Sequence, residues 1–317
     1  MKKYIRRWGS YGLILMISFL LVTGCATQSP PAATNASLKV VTTVYPVYEF
    51  ARQVGGDKAE VSMLLKPGTE PHDWEPTPQE LARIKAGKLF LYHGAGLEPV
   101  TKILTKDVLG NSRAVEVSGG IAILTENESK TEETPAPHGH NRGEERDVHT
   151  WLDPVNAQQE VKVIAAAMAD ADPLNADYYR LNAEKYCREL EQLDGEYREA
   201  LASVKRRDII TSHAAFGYLA KRYQLHQEAI MGLSPDSEPT AEKMATVVAF
   251  CREHKVKFIF FETLVSPKLS KTIAQETGTE LLVLNPLESL TADEVKQGKN
   301  YLTVMRDNLM NLRRALE

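Results

Sequence analysis

The 317-residue chain has no Cys-x2-Cys, no His-x3-His and no His-Glu-x-x-His. Those absences exclude a zinc finger and a helix-borne metalloprotease site. Cysteine is scarce, with only Cys25, Cys187 and Cys251. There is no cationic excess either: 38 Lys and Arg stand against 42 Asp and Glu, a formal charge of −4. A general nucleic-acid binder shows a basic face, and this balance argues against one. The most apolar run, Tyr11–Val22, is interrupted by Gly12 and Ser18. It falls short of the roughly 20 residues that a transmembrane helix needs. What remains, 43% hydrophobic and 25% charged, is the composition of a globular protein.

What is present at the N-terminus reads as a targeting signal. Met1–Trp8 is basic, Tyr11–Val22 is apolar, and Val22-Thr23-Gly24-Cys25 resembles a bacterial lipobox. Residues 1–24 are therefore expected to be a lipoprotein signal peptide, with Cys25 the lipid-modified first residue of the mature chain. The segment carries Lys2, Lys3, Arg6 and Arg7 and no acid, so its loss takes the formal charge from −4 to −8. A surface of that sign attracts cations. Residues 25–37 are small, polar and proline-containing, the composition of a flexible tether. Cys187 and Cys251 both fall in helical patterns, and a disulfide or two free thiols are both open at this point.

From residue 38 strand and helix patterns alternate. Strands are expected at 37–43, 60–65, 88–92 and 114–117, with helices at 47–54, 77–86 and 97–108 between them. Residues 125–147 are acidic, polar and without apolar periodicity, a mobile surface loop. This loop holds His138 and His140, which read either as a low-affinity metal-collecting pair or as incidental residues of a solvated insert. Asp153-Pro154 opens a helix to about Asp170. A long helix over 175–205 follows, with Leu181, Tyr186, Leu190 and Leu193 on its expected apolar face. The alternation then resumes, with strands at 208–211, 227–231, 256–261 and 280–284. Helices are expected at 214–223, 239–254, 266–277 and 291–316. The fold class is α/β: an N-terminal lobe 38–174, a linker helix 175–205 and a C-terminal lobe 206–317, each lobe a mostly parallel four-stranded sheet flanked by helices.

The candidate site starts from Leu65–Glu80, LKPGTEPHDWEPTPQE, where Pro67, Pro71, Pro76 and Pro78 stiffen a loop around His72. Of the eight histidines, His72, His149 and His213 stand where a loop meets a regular element. Ligands of open α/β sheets gather at such carboxyl ends of strands. Glu70, Asp73 and Asp153 are candidates to hold the far nitrogen of an imidazole, by nearness in sequence. His93, His226 and His254 read as ordinary residues, and Trp74 and Trp151 as packing that shields the site.

The segments KPGTEPHDWEPTPQE, HTWLDP, TSHAAFGYLAKRY, FFETLVSPK and LNPLESLT together resemble the metal-binding solute-binding proteins of ABC transporters, the cluster A-I or cluster 9 family, in its zinc-uptake branch. The resemblance covers nearly all of residues 38–317. It implies two α/β lobes bridged by one rigid helix, with the ion in the cleft between them. It further implies His72, His149 and His213 as ligands, with a carboxylate near the last strand as the fourth. Glu288 is the best match for that carboxylate, Asn285 and Glu262 being the alternatives, and Glu262 suits a supporting role. One tight Zn²⁺, an ABC permease with its ATPase, a lipid-anchored monomer outside the cytoplasm and no catalysis are what the family implies. Three imidazoles and one carboxylate suit four-coordinate zinc better than manganese, although affinity order does not exclude Cu²⁺ or Ni²⁺. A zinc hydrolase, a manganese-binding relative and a surface adhesin are the competing readings.

Overall fold

The computed structural model describes residues 37–125, 145–235 and 238–317. Residues 1–24, expected to be a signal peptide, Cys25, His138 and His140 lie outside the described residues. The first half runs β1 (Leu38–Thr42), α1 (Tyr45–Gly55), β2 (Ala59–Met63), α2 (Pro78–Ala86), β3 (Leu89–Tyr92), α3 (Val100–Ile103), α4 (Lys106–Leu109) and β4 (Arg113–Glu116). A 3-10 turn at Thr150–Leu152 then leads into α5 (Pro154–Ala171) and, through a second 3-10 turn at Pro173–Asn175, into α6 (Ala176–Ala202). The second half repeats the alternation with β5 (Asp208–Thr211), α7 (Gly217–Tyr223), β6 (His226–Ala229), α8 (Ala241–Glu253), β7 (Phe258–Phe261), α9 (Lys268–Thr277), β8 (Glu280–Val283), α10 (Ala292–Lys296) and α11 (Tyr301–Leu316).

Both sheets are parallel throughout, in the orders β2-β1-β3-β4 and β6-β5-β7-β8. The chain moves outward from β1 to β2, then returns across β1 to β3, and the second half does the same around β5. The crevice at the carboxyl ends of the strands where the order reverses is the ligand position of open α/β sheets. Thr43 and His93 follow β1 and β3 there, and Ser212-His213 and Glu262 follow β5 and β7.

The long helix α6 spans 27 residues, about 40 Å at 1.5 Å per residue. It packs on α1 and α5 of the first half and on α7 and α11 of the second. Asn182 Nδ2 donates to the Val54 carbonyl at 3.0 Å, while Tyr197 OH donates to the Met305 carbonyl at 2.6 Å. Its buried stripe is Tyr179, Ala183, Tyr186, Leu190, Leu193, Tyr197 and Leu201, advancing in steps of three and four. Leu181, expected on that stripe, is 64% exposed. It stands two residues past Tyr179, about 200° round the helix, so the tyrosines set the face and Leu181 points away.

Local chemistry explains the elements and their breaks. Thr77 starts α2 through a reciprocal capping box with Glu80. The single helix expected over 97–108 is two short ones, because Thr105 turns out of the helix and caps the Val108 N–H. The expected 291–316 helix divides at Gly298, whose φ is 70°, and Asn300 then caps α11 with Thr303. Helix α7 starts at Gly217 rather than Ala214, leaving 214–216 in the turn after β5. An antiparallel bridge joins Thr125 to Arg146 across the neck of the acidic insert. Cys187 and Cys251 are both free thiols.

Candidate metal centre

His72 rides in the β2–α2 loop. Glu70 Oε1 accepts the backbone N–H of His72 at 3.1 Å, and the Trp74 N–H closes a turn on the Pro71 carbonyl at 3.1 Å. The same loop touches the second half where the Gly68 N–H donates to Ser289 Oγ at 3.0 Å. His149 enters the 3-10 turn ahead of α5, and His213 lies at the corner after β5. Glu288 follows Leu287, a non-glycine residue with φ 60°. That backbone costs about 1–2 kcal/mol, and the Leu287 N–H is held by Asn285 Oδ1 at 2.8 Å. The side-chain amide of Asn285 also donates to Glu294 and Thr263, and Asn308 bonds its backbone on both sides. Asn285 thus builds the loop that presents Glu288.

These four side chains meet. One donor atom from each of His72, His149, His213 and Glu288 falls in a group whose members all lie within 4.8 Å of one another. Glu288 Oε1 is 3.0 Å from His72 Nε2, 2.9 Å from His149 Nε2 and 3.3 Å from His213 Nε2. His149 Nε2 is 3.3 Å from both other Nε2 atoms. Four donors about 2.0–2.1 Å from a tetrahedral ion would stand roughly 3.3 Å apart. The His72 side chain is 11% exposed, and the other three are fully buried. Glu288 Oε2 is buried without a hydrogen-bond partner among the described residues, which leaves a second oxygen for an ion.

The far side of the cluster sets its chemistry. Asp147 Oδ1 accepts from His149 Nδ1 at 2.9 Å, and Glu262 Oε2 accepts from His213 Nδ1 at 2.7 Å. Each acceptor draws the imidazole proton to Nδ1 and turns the Nε2 lone pair inward. Two such lone pairs facing at 3.3 Å repel unless a cation or a proton lies between them. Burial works against a charged His213, yet Glu262 and Glu288 hold its pKa well above the usual histidine value. Burial also opposes a charged His149, and Asp147 and Glu288 still raise its pKa. Burial would push Glu288 up, but His213, with bonds from all three imidazoles, holds it well below the usual carboxylate range. Three imidazoles and one carboxylate so arranged could hold a metal ion.

Glu262 lies behind an imidazole of the cluster, on Nδ1 of His213. Asp153, offered as an imidazole partner, instead caps the Val155 N–H of α5 and pairs with Arg222 at 2.7 Å. Asp147 escaped the sequence reading, although its place two residues before His149 was the available signal. Trp151 is buried and donates to the Pro286 carbonyl at 2.8 Å. His226 and His254 lie away from the cluster, both against Asp208.

Two parallel α/β halves bridged by a long helix, with donor side chains from both halves gathered in one buried cluster, define the solute-binding class of protein. Within that class, the profile of the family described as zinc-uptake complex component A, periplasmic, matches residues 40–315. The chain belongs to this family. It is 39% identical to the high-affinity zinc uptake system protein ZnuA of Bacillus subtilis over 315 residues, 98% of each chain. It is 36% identical over 312 residues to the zinc-binding protein AdcA of Streptococcus pyogenes, covering 95% of this chain but 61% of that longer one. Among solved structures, the Zn(II)-bound ZnuA-like domain of Streptococcus pneumoniae AdcA superposes with a TM-score of 0.75. That domain is 37% identical, and the match covers 89% of this chain and 99% of the other.

Proposed function

We propose that this chain captures Zn²⁺ outside the cytoplasmic membrane and delivers it to an ABC permease driven by its ATPase. One ion binds tightly to Nε2 of His72, His149 and His213 and to the carboxylate of Glu288. The observation that carries this reading is the convergence of those donors within 4.8 Å of one another, with contacts of 2.9–3.3 Å around His149 and Glu288 and two of the imidazoles pinned from behind by carboxylates. Three nitrogens and one carboxylate favour zinc over oxygen-seeking manganese. The zinc-handling names of the relatives support the same choice. Glu288 takes the fourth position that a zinc hydrolase keeps open for water, so the site binds and does not catalyse.

In the same reading, lobes 38–174 and 206–317 enclose the ion, and the helix over 175–205 holds their spacing. Cys25 carries the lipid that keeps the monomer at the membrane. His138 and His140, in the acidic insert 125–147, gather metal weakly. Native mass spectrometry of the full chain during zinc titration tests the core of this. One tightly held zinc, lost when His72→Ala and His213→Ala are combined, is expected. A double variant that bound zinc as tightly as the parent would overturn the ligand set.

A further inference from the structure

The turn that carries His149 is held with unusual completeness. Five consecutive carbonyls, from Asp147 to Trp151, each accept a hydrogen bond. Leu152 and Asp153 N–H groups serve His149 and Thr150 at 3.2 and 3.3 Å. Side chains from other elements reach the other three: Tyr218 OH the Asp147 carbonyl at 3.2 Å, His93 Nε2 the Val148 carbonyl at 2.7 Å beside the Thr150 N–H at 2.9 Å, and Tyr301 OH the Trp151 carbonyl at 2.6 Å. Thr150 Oγ1 lies 3.4 Å from His93 Nε2 and donates to Glu160 Oε1 at 2.6 Å. His93 and Glu160 are both fully buried, and each keeps one polar atom, Nδ1 and Oε2, without a hydrogen-bond partner among the described residues. Burying such atoms opposes folding, so the pair is costly packing for a mere core.

The repeated topology shows what that arrangement accomplishes. Glu262 is the first residue after β7, the third strand of its half, and it holds the ligand His213 directly. His93 is the first residue after β3, the matching strand of the other half, and it holds the residue next to the ligand His149. Its own backbone N–H is fixed on buried Glu98, which also accepts from Thr43 Oγ1, so the support is anchored to both central strands. The His93 ring meets Trp151 edge-on at 4.8 Å, and Trp151 bonds Pro286, two residues before Glu288. Burial holds His93 neutral, its pKa pulled down to about 3, and pushes the Glu160 carboxyl up to about 8, so both serve as uncharged hydrogen-bond partners at neutral pH.

We propose that His93 and Glu160 are positioning residues of the metal centre: through Val148 and Thr150 they fix the angle at which His149 presents Nε2. This rests on the zinc-site reading above. Neither residue touches the ion.

The test measures zinc affinity by chelator competition, and the d–d absorption of bound Co²⁺, on the full chain in detergent. The variants are His93→Phe, Glu160→Leu, Glu160→Gln and Thr150→Val, with His149→Ala as reference. Supporting groups of this kind are worth about 10–100-fold in metal affinity. His93→Phe, Glu160→Leu and Thr150→Val are expected to weaken zinc binding by that factor and to alter the Co²⁺ spectrum. Glu160→Gln, whose amide oxygen accepts the same Thr150 hydroxyl, is expected to restore both. Should the larger replacements fail to fold, the near-isosteric Thr150→Val carries the test. Parental affinity and spectrum in Thr150→Val and Glu160→Leu, with binding still lost in His149→Ala, overturn the positioning role alone. A Glu160→Gln variant as impaired as Glu160→Leu also overturns it. Unchanged binding in His149→Ala would overturn the site reading instead.

Discussion

Glu262 Oε2 stands 2.7 Å from His213 Nδ1, and both side chains are buried. His213 reaches Glu288 with its other nitrogen, so one imidazole is gripped between two carboxylates. In the proposed site the rear carboxylate fixes the tautomer, and the front one binds the ion beside His213. Glu262→Gln keeps the shape but can turn an N–H toward Nδ1, favouring the wrong tautomer. The expected result is a zinc affinity about 10–100-fold weaker with unchanged circular dichroism, measured by chelator competition. Parental affinity would contradict the tautomer role.

Zinc and protons compete for the same Nε2 atoms, so affinity should fall with acidification. The raised values of His149 and His213 mean that protonation begins above the ordinary histidine value of about 6.5. Zinc affinity is therefore expected to decline already through neutral pH. With two imidazoles titrating, the slope should exceed one decade per pH unit. Glu288, held well below the usual range, adds nothing until strong acid. Competition titrations from pH 5 to 8.5, a range spanning the reference values, would show this. A flat profile would contradict it.

The same shifts act on stability, with a definite sign. A histidine whose folded pKa is raised stabilises the ion-free protein fully below its unfolded pKa and loses that contribution as pH rises through the folded value. The Tm of the zinc-free chain is thus expected to fall as pH climbs from about 6.5 through the raised values of His149 and His213. The zinc-loaded chain should lack that decline. Calorimetry with and without a chelator compares the two.

The long helix supplies a contrast between two leucines. Leu190 is fully buried and Leu181 is 64% exposed. Leu190→Ala should cost about 2–5 kcal/mol, and Leu181→Ala no more than about 0.5 kcal/mol, in urea unfolding. Equal costs would put the buried face of α6 elsewhere.

Much of this was legible in the chain. The α/β alternation follows from short apolar runs rich in aromatic and β-branched residues, such as 256–261, set between helical patterns. His72, His149, His213 and Glu288 stand in recognisable segments, and the fold brings all four together. Some of the missed features depend on tertiary contact. Asp147 and Asp153 both flank His149 in sequence, and Asp153 is drawn away from it by Arg222, 69 residues on. His93 reads as a turn histidine until its bond to Val148, 55 residues away, is seen. The breaks at Thr105 and Gly298 are local, but apolar periodicity on both sides hid them.

The most direct measurement is an anomalous difference map at the zinc edge from crystals of the chain grown with zinc. The account predicts one strong peak about 2.0–2.2 Å from Nε2 of His72, His149 and His213 and from a Glu288 oxygen. A tightly bound zinc located anywhere else, or a peak at the cluster that Glu288 does not reach, would contradict it.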